Sequence, residues 1–452
     1  MALSRRDFLA VAGLAVARVP AYAETSSDGF QVLRASKRKL PLLGGESPAT
    51  DVWTFDAAVI WARQGRELKL RVVNELDRDL WLHWFGVRGP SALMTLNVMP
   101  GEANAADCIF TPPDAGTFWL GTMAEQSRTR DMGLTAMVIV EEATVVAGLA
   151  DLPLILDDWK IDDTGVVDPA FGDMNLVVGE GRLGNWFTIN GAFRPNLPLA
   201  RNALTRLRML NAANSRDMAL QFKGDDPLLI ALDGQPVQPR FLGQTSFSLA
   251  PGQRADLLIG ITPGDTRLAI DLFEDVVEIG TLTGGGGELP EVADNFALPP
   301  NPISTAVDLA AAVTVPLVIE GGEKGGLTGA LYRGQQMDLR GLLEQGMAWA
   351  FNGAAGAGGA PLATFKLGSS VIIAIDNRTI FEQPLHIHGH VWQEIERGGH
   401  GLEGEPFRDT AVISAKSSAK FALIANNPGN WAIQSLVAER ADSGLTVAYV
   451  VA

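Results

Sequence analysis

The sequence predicts an all-β protein built from three Greek-key β-sandwich domains in tandem. Three observations carry this expectation. The chain has 452 residues with 47% hydrophobic content, enough for about three domains that each bury a core. One strand-like unit recurs three times along it. Its apolar residues alternate with a period of two in short runs punctuated by proline and glycine, and long helical periodicity is scarce, which favours antiparallel sandwiches.

The recurring unit is defined by a strand and the asparagine that closes it. From Gly65 the chain passes Leu68, Leu70 and Val72, alternating with Lys69 and Arg71, to Asn74. From Asn202 it passes Leu204, Arg206 and Arg208 to Asn211, and from Gly368 it passes Val371, Ile373 and Ile375 to Asn377. Each run spans the same nine-residue step, so three related domains are expected. Each is followed by a second set of turn signals: Pro100 and Gly101, then Pro112, Pro113 and Gly116; Pro251 and Gly252; Pro428 and Gly429.

Taken in order, the chain opens with Ser4, Arg5, Arg6, Asp7, Phe8 and Leu9, a short apolar run, and Ala21, Tyr22, Ala23. This resembles a twin-arginine export signal over residues 1–23 with cleavage after Ala23, and implies a periplasmic destination. The apolar run is far shorter than the ~20 residues of a membrane span. The first sandwich is expected over 30–145, the second over 150–283 and the third over 311–452. A linker is expected over 284–310, where Gly284–Gly287 precede Pro299, Pro300 and Pro302.

Charge excludes several partners. Removing residues 1–23 takes away three arginines and one aspartate and moves the formal charge from −16 to −18. Nucleic acid and anionic lipid both repel such a surface. Cys108 is the single cysteine, so no internal disulfide can form, and its alternating context Ala-Asp-Cys-Ile-Phe reads as a buried structural thiol.

The chemistry is concentrated in Gln383–Trp392, Gln-Pro-Leu-His-Ile-His-Gly-His-Val-Trp, which holds three of the five histidines. In an extended segment His386, His388 and His390 would project to one face, an arrangement suited to copper or zinc. Hydrogen-bonded histidines at a domain seam are the alternative. The stretch resembles the third-domain copper motif of the multicopper oxidases, in which His-X-His-Gly-His follows a histidine and a proline. Leu367, Gly368, Asp376 and Asn377 before it and Arg408, Asp409 and Thr410 after it agree as well. The resemblance extends over most of the mature chain and implies cupredoxin domains.

In that family a blue (type 1) copper passes electrons to a three-copper cluster that reduces dioxygen. The resemblance places Gln434, Ser435 and Leu436 where His-Cys-His would stand, Arg440 at a later histidine, Leu445 at the axial position and Gln383 at the remaining blue-copper histidine. It places Phe85, Gly121, Met123, Gln434 and Leu436 at five of the six histidines of the coupled copper pair, with His388 the sixth. His83 and His386 correspond to the ligands of the single third copper, and His390 and His400 to none. The implied metal residues are therefore His83, His386 and His388, holding one copper or zinc ion, with no type 1 copper and no assigned catalytic residue.

Two readings remain open. One is a non-oxidase binding or scaffold protein of the periplasm, monomeric, with envelope proteins as partners. It resembles the twin-arginine-exported cell-division proteins that keep three cupredoxin domains without copper. The run Leu207, Met209, Leu210, Asn211, Ala212, Ala213, Asn214 and Ser215 is similar to their second domain. The other is a copper-binding oxidoreductase or copper-handling protein with a single type-2-like site. Met94, Met99, Met123 and Met132 would suit Cu(I) handling, but scattered methionines are more often core filling.

Overall fold

Three pairs of facing sheets account for nearly all regular structure. A computed structural model describes residues 23–452 except 46, 147, 244, 261–263, 285–287, 289–291 and 293–295. The export signal, Ala23 apart, and Gly285–Gly287 of the expected linker thus lie outside the described residues. The first pair has five strands in each sheet, and the second and third pairs each set a six-stranded sheet against a five-stranded one. No described helix is long and apolar enough to cross a membrane.

The recurring unit forms one strand in each pair: Leu68–Asn74, Leu204–Asn211 and Ser370–Asn377. Its closing asparagine is fully buried in all three and ties one turn in the same way. Asn74 Nδ2 donates to the carbonyls of Arg78 and Val98, at 2.7 and 2.8 Å, and its Oδ1 accepts the Leu76 N–H. Asn211 does this with Arg216, Leu249 and Ala213, and Asn377 with Phe381, Ser414 and Thr379. An amide offers donors and an acceptor on one rigid plane, so one side chain satisfies the main-chain groups that leave a strand at its turn.

The sandwiches are not purely antiparallel. Each recurring strand lies parallel to an earlier strand of its domain: Gln31–Leu40, Leu149–Trp159 and Val313–Gly321. Alternation reports which face is buried and carries no information on partner direction, so the sequence pattern could not supply this.

The sheet that carries the candidate site in the first pair runs Val59–Arg63, Thr135–Glu141, Gly116–Thr122, Leu80–Phe85, Thr95–Val98. Its counterpart in the third pair ends Thr446–Val451, Gly429–Ser435, Gln383–Ile387, Thr410–Ile413. One apolar core runs through the first and third pairs, from Leu70 and Trp84 to Ile373 and Trp392, and a second fills the middle pair around Leu207 and Leu257. Cys108 is buried in the first core, where burial pushes its thiol up to about 11.

Candidate metal centre

Two central strands bring the histidines to one seam. His83 lies on Leu80–Phe85 and His386 on Gln383–Ile387, each facing into the contact between first and third pairs. His83 and His388 stack with ring centroids 3.9 Å apart, and His386 and His388 lie 5.1 Å apart. One ligand atom from each of His83, His386 and His388 falls within 4.8 Å of the other two. All three are buried.

His390 does not join them. The strand ends at Ile387, and Gly389 takes a φ of +69° that breaks the alternation. A Cβ at 389 would press on the Trp431 indole, so glycine is needed where the chain turns. His390 instead points to Tyr449, whose hydroxyl donates to the His388 carbonyl while lying 2.7 Å from His390 Nδ1. Its Nε2 accepts the Asn427 N–H at 3.3 Å. Expecting all three motif histidines on one face is thus corrected: His83, from another domain, takes the third place. His400 is exposed at a sheet edge.

Two of the three rings, His83 and His388, are held neutral, and the triad is short of partners. Burial, reinforced by charge on His386, pushes His83 down to about 3. Burial, then His83 and His386, hold His388 well below the ordinary imidazole range. His83 Nδ1 pairs with Thr95 Oγ1 at 3.2 Å. Among the described residues, Nε2 of His83, His386 and His388 has no hydrogen-bond partner. Buried polar atoms are rarely left so. Neutral imidazoles with available lone pairs are the donor set that copper or zinc needs, so these residues fit one ion.

His386 Nδ1 lies 3.2 Å from Asp409 Oδ1, although the ring N–H is not aimed well enough to count as a hydrogen bond. Burial alone would raise the Asp409 carboxyl; Arg254 and then His386 hold it below the usual carboxylate range. Asp409 appears in the sequence as a flank of the histidine motif, with no role legible there, and Arg254 only follows the Pro251–Gly252 turn signal. Their signal was a buried charge beside a histidine motif, visible once strands from two domains meet.

The remaining family positions hold other side chains. Register sets Gly121 opposite His83, Trp119 opposite Phe85, and Gln434 opposite His386. Trp119 stacks on Phe85 at 3.8 Å and 6°, and its ring covers Gly121, where a Cβ would overlap Cζ3. Phe85, Trp119 and Leu436 belong to one buried apolar cluster with Met123 packed on its margin. Farther along, Arg440 donates to the Glu382 carbonyl at 2.7 Å and to Gln383 Oε1 at 3.1 Å. Its guanidinium lies 5.0 Å from the Trp349 ring and 4.9 Å from Phe381, and burial pushes it down to about 10. Ser435 Oγ accepts the Val437 N–H at 3.1 Å.

Comparison with known proteins bears on the fold. Family models described as multicopper oxidase match residues 45–144 and 333–452. A solved multicopper oxidase from Pseudomonas thermotolerans superposes with a TM-score of 0.78, at 27% identity over 95% of this chain and 100% of that one. The chain has the multicopper-oxidase fold and is similar in sequence to that family, FtsP-like members included. Among curated relatives, the cell division protein FtsP of Escherichia coli is 27% identical over 59% of this chain and 62% of its own length. The multicopper oxidase MmcO of Mycobacterium tuberculosis is 25% identical over 86% of this chain and 80% of its own. This chain therefore spans somewhat under two thirds of the FtsP relative that it matches.

Proposed function

We propose that this is an exported multicopper-oxidase-like protein that has given up four-electron dioxygen reduction and serves the periplasm as a binding or scaffold protein. The observation that supports this most is Arg440. A blue copper needs a thiolate and imidazoles, whereas here Ser435, Gln383 and Leu445 stand at the positions the resemblance assigns to its ligands, and Arg440, a permanent cation, donates to Gln383 itself. A guanidinium repels a metal ion and offers no lone pair. The Phe85–Trp119 stack and Leu436 likewise put apolar atoms at coupled-pair positions. The FtsP relatives, named for cell division, point to envelope proteins as partners. The test is the exported protein purified from copper-supplemented cells. No absorption near 600 nm (roughly, for a copper–thiolate centre) and no oxygen consumption with phenols or cuprous ion are expected. Either signal at family-like strength refutes the reading.

A second reading is favoured by the unpartnered ring nitrogens: one copper or zinc ion held by His83, His386 and His388. Such an ion would supply Lewis acidity or one-electron chemistry at a single centre. Metal analysis tests it, with about one equivalent per chain expected in the wild type and none in a His83→Ala/His386→Ala double variant. Metal-free wild-type protein after loading refutes it.

A further inference from the structure

The three domains meet at a salt bridge directly behind His386. Arg254, from the middle pair, is fully buried and grips Asp409 of the third pair with both terminal nitrogens; Nη1 donates to Oδ1 at 3.0 Å and Nη2 to Oδ2. Thr410 Oγ1 donates to the same Oδ1 at 2.8 Å. Arg254 Nη1 also donates to the Gly252 carbonyl, and Nε to the Thr117 carbonyl of the first pair. A fork tied down at this many points holds the carboxylate in one orientation. Gly86, one residue past the strand that carries His83, makes room for the pair. Its φ is +83°, and a Cβ there would overlap Asp409 Oδ2 and stand 2.5 Å from Arg254 Nη2.

A fixed carboxylate 3.2 Å from an imidazole Nδ1 can accept a proton from it but cannot give one while ionised. Among the described residues, no hydrogen-bond partner reaches either nitrogen of His386, and the Asp409 carboxylate is the charged group beside Nδ1. Carboxylates in this relation to a histidine settle its tautomer. We propose that Asp409, clamped by Arg254, is the positioning residue that keeps the His386 proton on Nδ1 and so leaves the Nε2 lone pair for an ion at the triad. The single-ion reading gives this arrangement its use, but the tautomer itself belongs to the metal-free protein. The clamp also makes the site depend on the middle domain, which contributes no histidine to it.

Nitrogen NMR of metal-free protein labelled at its five histidines tests the proposal without any variant. His386 should be protonated at Nδ1 and bare at Nε2; the opposite tautomer overturns the role of Asp409. Asp409→Asn keeps the volume and, with its carbonyl turned to Arg254, faces Nδ1 with an N–H. The His386 proton should then move to Nε2, and affinity for zinc(II) alone should fall about 10–100-fold. Arg254→Lys, which keeps the charge and loses the fork, should weaken zinc(II) binding in the same direction. An unchanged tautomer and affinity in a folded Asp409→Asn protein refutes the positioning role. Failure of wild-type protein to take up zinc(II) or copper sinks the single-ion reading instead, and the tautomer measurement still decides Asp409.

Discussion

Gly121→Ala tests whether an aromatic ring has taken over space that a metal ligand would need. Residues 119 and 121 share one face of the strand Gly116–Thr122. A Cβ on residue 121 would overlap Cζ3 of Trp119 and lie 2.7 Å from Cε3 and 3.2 Å from Cη2. The indole cannot yield cheaply, because it is stacked on Phe85 at 3.8 Å, sits 5.2 Å from the Arg130 guanidinium and is buried. Forcing one methyl into such a site costs about 1–3 kcal/mol. Trp119→Ala alone removes a buried indole and costs about 3–5 kcal/mol. With the indole gone, the added methyl meets open space, so the double variant should be more stable than the sum of the single changes by about 1–3 kcal/mol. Urea unfolding with an unchanged m-value measures all four corners of the cycle. A Gly121→Ala protein within about 0.5 kcal/mol of wild type, or strict additivity, would refute the claim that the ring fills this space.

His390 gives a pH dependence with a defined sign. Both of its nitrogens are engaged while it is neutral, and burial, with Arg88 adding to it, pushes it down to about 4. The unfolded chain binds its proton near pH 6.5, so wild type should lose ~1.4 kcal/mol per pH unit between about 6.5 and 4 relative to His390→Gln, about 3 kcal/mol in all. Denaturant midpoints across that range check it, and parallel curves for the two proteins contradict it. Arg440→Leu strips the Glu382 carbonyl and Gln383 Oε1 of a charged donor and should cost ~2–4 kcal/mol, read from thermal or urea unfolding. Loading with zinc(II) at one hundred times its dissociation constant should stabilise wild type by ~2.7 kcal/mol. The His83→Ala/His386→Ala variant should show no such shift in a calorimetric scan.

What was legible in the sequence follows from how locally each feature is encoded. The three asparagines could be read because each closes its own strand and ties a turn within about forty residues, as Asn211 does from Arg216 to Leu249. His386 and His388 could be read as neighbours because they stand two positions apart in extended chain. The same logic failed at His390, since one glycine at positive φ cancels alternation. The parallel strand pairings, the grip of Arg254 on Asp409 and the Trp119 ring over Gly121 were hidden for different reasons. The first two join residues from 39 to 155 positions apart in the chain, and side-chain period says nothing of such distances. The third is local but concerns packing. A sequence shows that phenylalanine, glycine and leucine cannot ligate; it does not show that a neighbouring indole has closed the vacated volume. That closure bears on function, because a void could admit an ion or a water with other ligands, whereas a stacked and buried ring cannot. His83, His386 and His388 stand beside that ring with their Nε2 atoms unpartnered, so any ion this seam holds has to be held there.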